Sequence, residues 1–516
     1  MKNKLVLGLL VTIVVIVGYY LFINKNNPST DVSVENTVIE LKNSDTYELS
    51  ASYVEKEING VKQTMLAYNG SIPGPTIRVA QGSEITVNFK NNTDMPQLLH
   101  SHGVRMDNAF DGSQSVQKEI QPGESFAYKL KFPDAGIYWY HPHAGEVYGQ
   151  GLGLYGAFVV IPADPTYFSA VNQEVPLFLS DLPIKNGEIT LDKNKASHSL
   201  MGHYGNVMLI NGEDKYNLNA KQGEVVRLYV VNASNARPYN FAIDGLKMKL
   251  VGGDSGAYEK ESFVDAVVLG PSERAIVDVF MTKSGIYTIQ NKTPDTTYTL
   301  GSITISGEKI DISYEKEWNM LRTNMTTVKS IDSFRSYFNK APDKNISLTL
   351  DMGGNMMGTQ DTGNGNHMMM GGQMMGGSMM SASPDGIEWD DSNQMMNSMS
   401  NPDSVRWKIK DTDTTQENMD INWSFKKDQP VKIRIFNDPK SMHPMQHPIH
   451  FHGQRFLVVS RNGVQQINLV WKDTTLVKSG ETVDIILDPS NVGTWMAHCH
   501  ISEHLEAGMM FQFKVE

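Results

Sequence analysis

The chain has a single cysteine in 516 residues, so no internal disulfide can form and its domains must rest on buried apolar area. It has no excess of positive charge: 45 Lys and Arg stand against 57 Asp and Glu, a net charge of −12. That balance disfavours a nucleic-acid partner and favours the approach of cations. Behind Lys2 and Lys4 runs an apolar stretch from Leu5 to Ile23, just long enough to span a bilayer. No Ala-x-Ala cleavage site follows it, there is no twin-arginine pair, and no N-terminal cysteine could carry a lipid. An uncleaved anchor over residues 1–24, N-terminus inside, is therefore expected, with a cleaved secretory signal as its rival. Either places the body outside the cytoplasm. A third absence is internal: from Asp351 to Gly386 there is no Leu, Ile, Val, Phe, Tyr or Trp.

What the chain does have is concentrated near its end. His498-Cys499-His500 is followed by His504 and Met509. Two imidazoles, a thiolate and a weak axial thioether make a blue-copper site, the rival being a buried free thiol beside unrelated histidines. Three more units bear on that choice: His100-Ser101-His102, His141-Pro142-His143 and His447-Pro448-Ile449-His450-Phe451-His452. Together they use ten of the fourteen histidines, and imidazole suits copper. In a strand, residues two apart share a face and neighbours oppose. His498 and His500 therefore face one way and Cys499 the other, while His450 and His452 oppose His447. Two centres placed back to back follow. One takes Cys499 and His447, joined by His504 and Met509 from the next turn; the other takes the paired histidines, connected to the first through the backbone of Cys499.

The sequence repeats. The run Gln81 to Val87 resembles Gln222 to Leu228 and, more loosely, Gln429 to Ile435. A second repeat joins Pro122-Gly123-Glu124 to Gly136-Ile137-Tyr138, Pro271-Ser272-Glu273 to Gly285-Ile286-Tyr287, and Ser479-Gly480-Glu481 to Gly493-Thr494-Trp495. In these alignments His141 and His143 match His498 and His500, but also Gln290 and Lys292; His100 and His102 match His450 and His452, but also Ala242 and Asp244. Three homologous β domains are implied, at 38–163, 172–308 and 341–516, with the middle copy a copper-free spacer. Pro142 stands at the position of Cys499, so the first copy has no blue-copper site. The eight paired histidines divide equally between the first and third copies, which puts their cluster at that interface. Short Val/Ile/Thr/Tyr/Phe strands between Gly, Pro, Asn and Asp turns indicate an all-β sandwich throughout.

These motifs, with Tyr68-Asn69-Gly70-Ser71-Ile72-Pro73-Gly74-Pro75-Thr76 at the opening of the first copy, resemble the multicopper oxidases over nearly all the chain after its N-terminal segment. The resemblance implies three consecutive cupredoxin-like Greek-key domains and four copper ions. By it, His447, Cys499, His504 and axial Met509 would hold type 1 copper, and His100 and His450 type 2. The type 3 pair would take His102, His141, His143, His452, His498 and His500. It further implies four one-electron oxidations at type 1, electron transfer along Cys499, and reduction of O2 to two waters. Asp111 matches an acidic residue that the family places near the cluster as a proton relay; its other reading is a turn Asp before Gly112. The acid common directly after the last His ligand in bacterial members is absent, since Leu505 stands there and Glu506 follows. The second relay group is left open.

Residues Met352 to Met399 carry thirteen of the twenty-nine methionines. With no apolar neighbours there is no core for them to fill, and thioethers favour Cu(I). Met352, Met356, Met357, Met368, Met369, Met370, Met374 and Met375 are candidate Cu(I) substrate ligands, the alternative being a low-complexity insertion without a metal role. A Met-rich insertion near the start of the third domain resembles that of bacterial cuprous oxidases. Met442 and Met445, just before His447, suit either substrate approach or packing. His198 and His203 are assigned no role. Three functions remain in view: a cuprous oxidase, a laccase oxidising phenols or aromatic amines, and a copper store. The full ligand set argues against the store, and ferroxidase activity lacks an acid cluster assignable to type 1. A monomer is expected.

Overall fold

The computed structural model describes residues 37–352 and 383–516, together with the backbone of two short paired strands, His367–Met368 and Met374–Met375. Strands form where the sequence alternates. In Glu84–Asn91, Ile85, Val87 and Phe89 are buried on one face while Glu84, Thr86 and Asn88 look the other way. Six large sheets pack in pairs. The first pair joins a five-stranded sheet, centred on Gly156–Ile161, to a four-stranded one containing Thr46–Ile58. The second and third pairs each join a six-stranded sheet to a five-stranded one. Each large sheet also sets side by side strands that are not consecutive in sequence, some of them parallel, such as Thr46–Ile58 beside Glu84–Asn91, as Greek-key crossovers require.

Strand register carries the internal repeat into three dimensions. His100 pairs with His141 in the first unit and His450 with His498 in the third. At the matching place in the middle unit Ala242 pairs with Gln290. The same register sets Pro142 against Leu99 and Cys499 against Ile449. Two of these strands, Gly136–Pro142 and His447–Phe451, are buried along their whole length. Both faces of each are covered, one by its own sandwich and one by the neighbouring unit.

Residues 309–343 run from the middle unit to the third. Their helix Met325–Asp332 is capped by the Asn324 side chain, which accepts the Thr327 N–H. Ile331 and Phe338 pack there with Trp471 and Leu457. Residues 383–399 form part of the folded body, which narrows the insertion expected over 352–399. Ile387 and Trp389 pack on Leu476, and the Asn397 side chain bonds the Met201 N–H and the Gly202 carbonyl. Among the described residues no helix is long and apolar enough to cross a membrane; the apolar segment at 1–24 lies outside them.

Candidate metal centres

Cys499 ends the strand Gly493–Cys499, and His504 lies in the helical turn Ser502–Glu506 just beyond it. Their alternation behaves as a strand requires. Cys499 Sγ is 3.6 Å from His447 Nδ1 and 3.7 Å from His504 Nδ1, whereas His498 and His500 join the histidines of the first unit. Met509 is fully buried and bonded through its backbone to both partners: its carbonyl accepts the Cys499 N–H at 3.0 Å, and its N–H donates to the His504 carbonyl at 2.9 Å. Burial pushes the Cys499 thiol well above its ordinary value and pulls His447 down to about 3. His504 is depressed too, by burial and then by His447. An uncharged thiol at such depth is what a soft cation would displace a proton from.

On the other side of the strand, eight imidazoles meet. His102, His141 and His500 form one triplet and His143, His452 and His498 another, while His100 lies with His102 and His450. Burial holds His102, His141, His143, His450, His452 and His500 well below the usual imidazole range, and their mutual repulsion adds to it. The rings are supported in matching ways. Nδ1 of His141 bonds the Pro142 carbonyl at 2.9 Å, and Nδ1 of His498 bonds the Cys499 carbonyl at 2.8 Å. Nδ1 of His100 bonds the Asp111 carbonyl at 2.7 Å, and Nδ1 of His450 bonds the Asp473 carbonyl at 2.8 Å. The two carboxylates cross over: Asp111 reaches His452 of the third unit at 3.0 Å, and Asp473 reaches His102 of the first at 2.9 Å.

The opposite nitrogens are left over. Nε2 of His100, His141, His143, His450 and His500 is buried without a hydrogen-bond partner. Buried polar atoms are rarely left so, and convergent neutral imidazoles with free lone pairs fit copper ions. Three family matches, each described as multicopper oxidase, cover residues 50–165, 173–307 and 387–516. The chain belongs to the multicopper oxidase family. It is thus an oxygen-dependent oxidoreductase with three cupredoxin-like domains and four coppers: one type 1, one type 2 and a type 3 pair. It is 26% identical over 461 residues to a multicopper oxidase of Staphylococcus epidermidis, covering 87% of this chain and 83% of that one. A copper resistance protein A homolog of Pseudomonas syringae pv. tomato is 22% identical, with 91% and 92% covered. Among solved structures, the Campylobacter jejuni multicopper oxidase, described as a metallo-oxidase, superposes with a TM-score of 0.67 at 26% identity, covering 94% of this chain and 93% of that one.

Four groups near these centres escaped sequence reasoning. Asp473 lies 21 residues after His452, whereas its counterpart Asp111 lies nine after His102, so no alignment by spacing pairs them. Glu146, in the helical turn Glu146–Gly151, is buried 3.8 Å from His500 Nδ1 and accepts the Ser502 hydroxyl at 3.3 Å. Burial lifts it to about 8, and lifts Glu506 to about 7 with repulsion from Glu503. Leu505 is buried, and Glu146 of the first unit brings a carboxyl to that side instead. His203 is buried, and its Nδ1 lies 2.5 Å from Glu503, the residue before His504. Finally, the acid-rich segment 385–391, with Asp385, Glu388, Asp390 and Asp391, is tied to the residue before His447, because the Glu388 N–H donates to the Gln446 side chain at 2.7 Å.

The methionine candidates divide. Met352 ends the strand Lys344–Met352 and is half-buried. Met445 is buried in the core of the third unit, which supports its packing reading, and Met442 is 36% exposed. Met356, Met357, Met369 and Met370 lie outside the described residues, as do the side chains of Met368, Met374 and Met375.

Proposed function

We propose that this multicopper oxidase takes Cu(I) as its electron donor and converts it to Cu(II) outside the cytoplasm, in copper tolerance. The observation that carries the reading is the anchorage of the Met-rich stretch. It leaves the folded body at Met352, and the chain after it is pinned to Gln446, the residue before His447, by the Glu388 backbone. The thioethers of that stretch, and the carboxylates of Asp385, Glu388, Asp390 and Asp391 that follow it in the chain, would both attract a monovalent soft cation. The copper-resistance relative points the same way.

In this reading His447, Cys499, His504 and Met509 would hold type 1 copper. His100 and His450 would hold type 2; His102, His141 and His500 would hold one type 3 ion, and His143, His452 and His498 the other. When bound, these coppers supply successive one-electron oxidation and the four-electron reduction of O2 to water. Cys499 links the two centres through the bonds to His498 and His500. The Asp111 carboxylate orients His452 and stands ready to pass protons from its side, and Glu146 carries a proton at its carboxyl oxygen next to His500. Buried Trp139, stacked on His141 at 4.2 Å, closes the cluster to bulk water. The apolar run at Leu5 to Ile23 would hold the body at the membrane's outer face.

The deciding experiment measures oxygen consumption with Cu(I) and with a phenol, for the wild type and a variant lacking 353–382. Loss of Cu(I) turnover with phenol turnover kept or raised supports the cuprous oxidase. Unchanged Cu(I) turnover would favour a laccase acting on phenols or aromatic amines.

A further inference from the structure

The middle unit has no imidazoles at the repeat positions, yet one of its turns reaches the histidine cluster. Pro271-Ser272-Glu273 is the middle copy of a turn that reads Pro122-Gly123-Glu124 in the first unit and Ser479-Gly480-Glu481 in the third. All three place the central residue at positive φ: 84° at Gly123, 76° at Gly480 and 76° at Ser272. Glycine adopts that backbone freely and serine rarely does, so only the middle copy is strained here. What serine adds is a hydroxyl. Ser272 is fully buried, with Oγ 3.2 Å from both ring nitrogens of His102.

Two residues on, Arg274 is also fully buried. Its guanidinium grips Asp473 with two parallel bonds, Nη1 to Oδ1 at 2.6 Å and Nη2 to Oδ2 at 2.5 Å. Nε donates to the Ile137 carbonyl of the first unit at 3.1 Å, and the Arg274 backbone N–H donates to Asp254 at 2.8 Å. Three units therefore meet on one carboxylate, whose residue supports His102 through Oδ1 and His450 through its carbonyl. Gly103, directly after His102, has φ 79°, and a Cβ there would run into the Asp473 carboxylate and the Arg274 guanidinium.

We propose that Ser272 and Arg274 of the copper-free unit are positioning residues of the trinuclear cluster. Arg274 fixes Asp473, and Asp473 and Ser272 together fix the ring of His102 and the approach of His450. A planar fork matches both carboxylate oxygens, which no other cation does. The middle unit is then a structural participant in copper binding instead of a spacer. This rests on the ligand roles proposed above.

The test uses the full chain loaded with copper, reading total copper, the type 2 EPR signal and the blue type 1 absorption under competition from a chelator. Arg274→Gln and Ser272→Gly are expected to weaken cluster copper about 10–100-fold, as losing a ligand's support does elsewhere, and to alter the type 2 signal while the blue absorption stays. Arg227→Gln is the control: Arg227 is equally buried in the same unit and forks onto Asp278, so it should lower the melting temperature without touching the type 2 signal. If both test variants keep full copper and an unaltered type 2 signal while His450→Ala loses it, the turn is mere packing and the inference fails. If His450→Ala keeps the signal as well, the ligand assignment falls and takes the inference with it. Should Arg274→Gln fail to fold, Ser272→Gly, which relieves backbone strain, decides alone.

Discussion

Trp407 and His504 lie face to face, their ring centroids 4.3 Å apart and their planes 30° from parallel. The same indole meets His447 edge-on at 4.7 Å, and its N–H donates to the Ser199 carbonyl at 2.8 Å. One fully buried side chain thus braces both imidazoles beside Cys499. Trp407→Phe keeps the apolar face and loses the hydrogen bond, at an expected cost of about 1 kcal/mol. Trp407→Ala leaves a cavity, at about 3–5 kcal/mol. Denaturant unfolding of the copper-free protein measures both. In the loaded protein the alanine variant should also shift the type 1 potential and blue absorption; an unchanged spectrum would show that the rings hold themselves.

Because Cys499 faces away from the paired histidines, its loss should be confined to one centre. Cys499→Ser is expected to abolish the blue absorption and turnover with every reductant. Cluster copper should remain, three ions instead of four. Metal analysis beside EPR checks this, and a variant that loses all its copper would contradict the back-to-back arrangement.

Two carboxyls flank the cluster from opposite sides, Asp111 against His452 and Glu146 against His500. Asp111→Asn and Glu146→Gln should each lower oxygen consumption by about 100-fold, the low end of what a positioned proton donor contributes. Reduction of type 1 copper under anaerobic conditions should proceed as in the wild type. A variant slowed equally in both steps would place its defect elsewhere.

His198 is half-buried beside His203, and burial followed by that neighbour's repulsion lowers it to about 4 from 6.5; the Glu503 carboxylate opposes the shift. The unfolded chain therefore takes up this proton first. Stability from this group is complete above pH 6.5 and declines as the pH falls from 6.5 toward 4. After discounting for partial exposure, the loss is about 1 kcal/mol. His198 sits at φ 60°, which asparagine tolerates well. His198→Asn should unfold with less difference between pH 7 and pH 5 than the wild type, and an equal difference would remove His198 as the source.

The copper sites were legible in the sequence because their geometry is local. Strand parity separates Cys499 from His498 and His500, and the repeat register that sets His100 beside His141 also sets His450 beside His498. Spacing within a strand survives folding, so it can be read directly. The supporting groups were not legible, for the converse reason. Asp473, Arg274 and Glu146 reach the sites from loops or from other units and Trp407 from the strand Val405–Asp411, remote in sequence, and no pattern in the chain relates Arg274 to a partner 199 residues away. Residues 387–399 looked like the tail of the methionine stretch because their contacts, with Leu476, Gln446 and Met201, are all remote in sequence.

The crossing of Asp111 and Asp473 between units has a consequence for the order of events in the cell. Half of the oxygen-reducing cluster lies between His100 and His143, and its complement waits until His498 and His500 have left the ribosome. Neither half holds a complete triplet: each group of three histidines draws on both ends of the chain. The final dozen positions from His498 to Met509 also bring the thiolate, so the centre that accepts electrons and the one that disposes of them are finished together. A nascent chain, or one cut short before His498, would then complete neither centre.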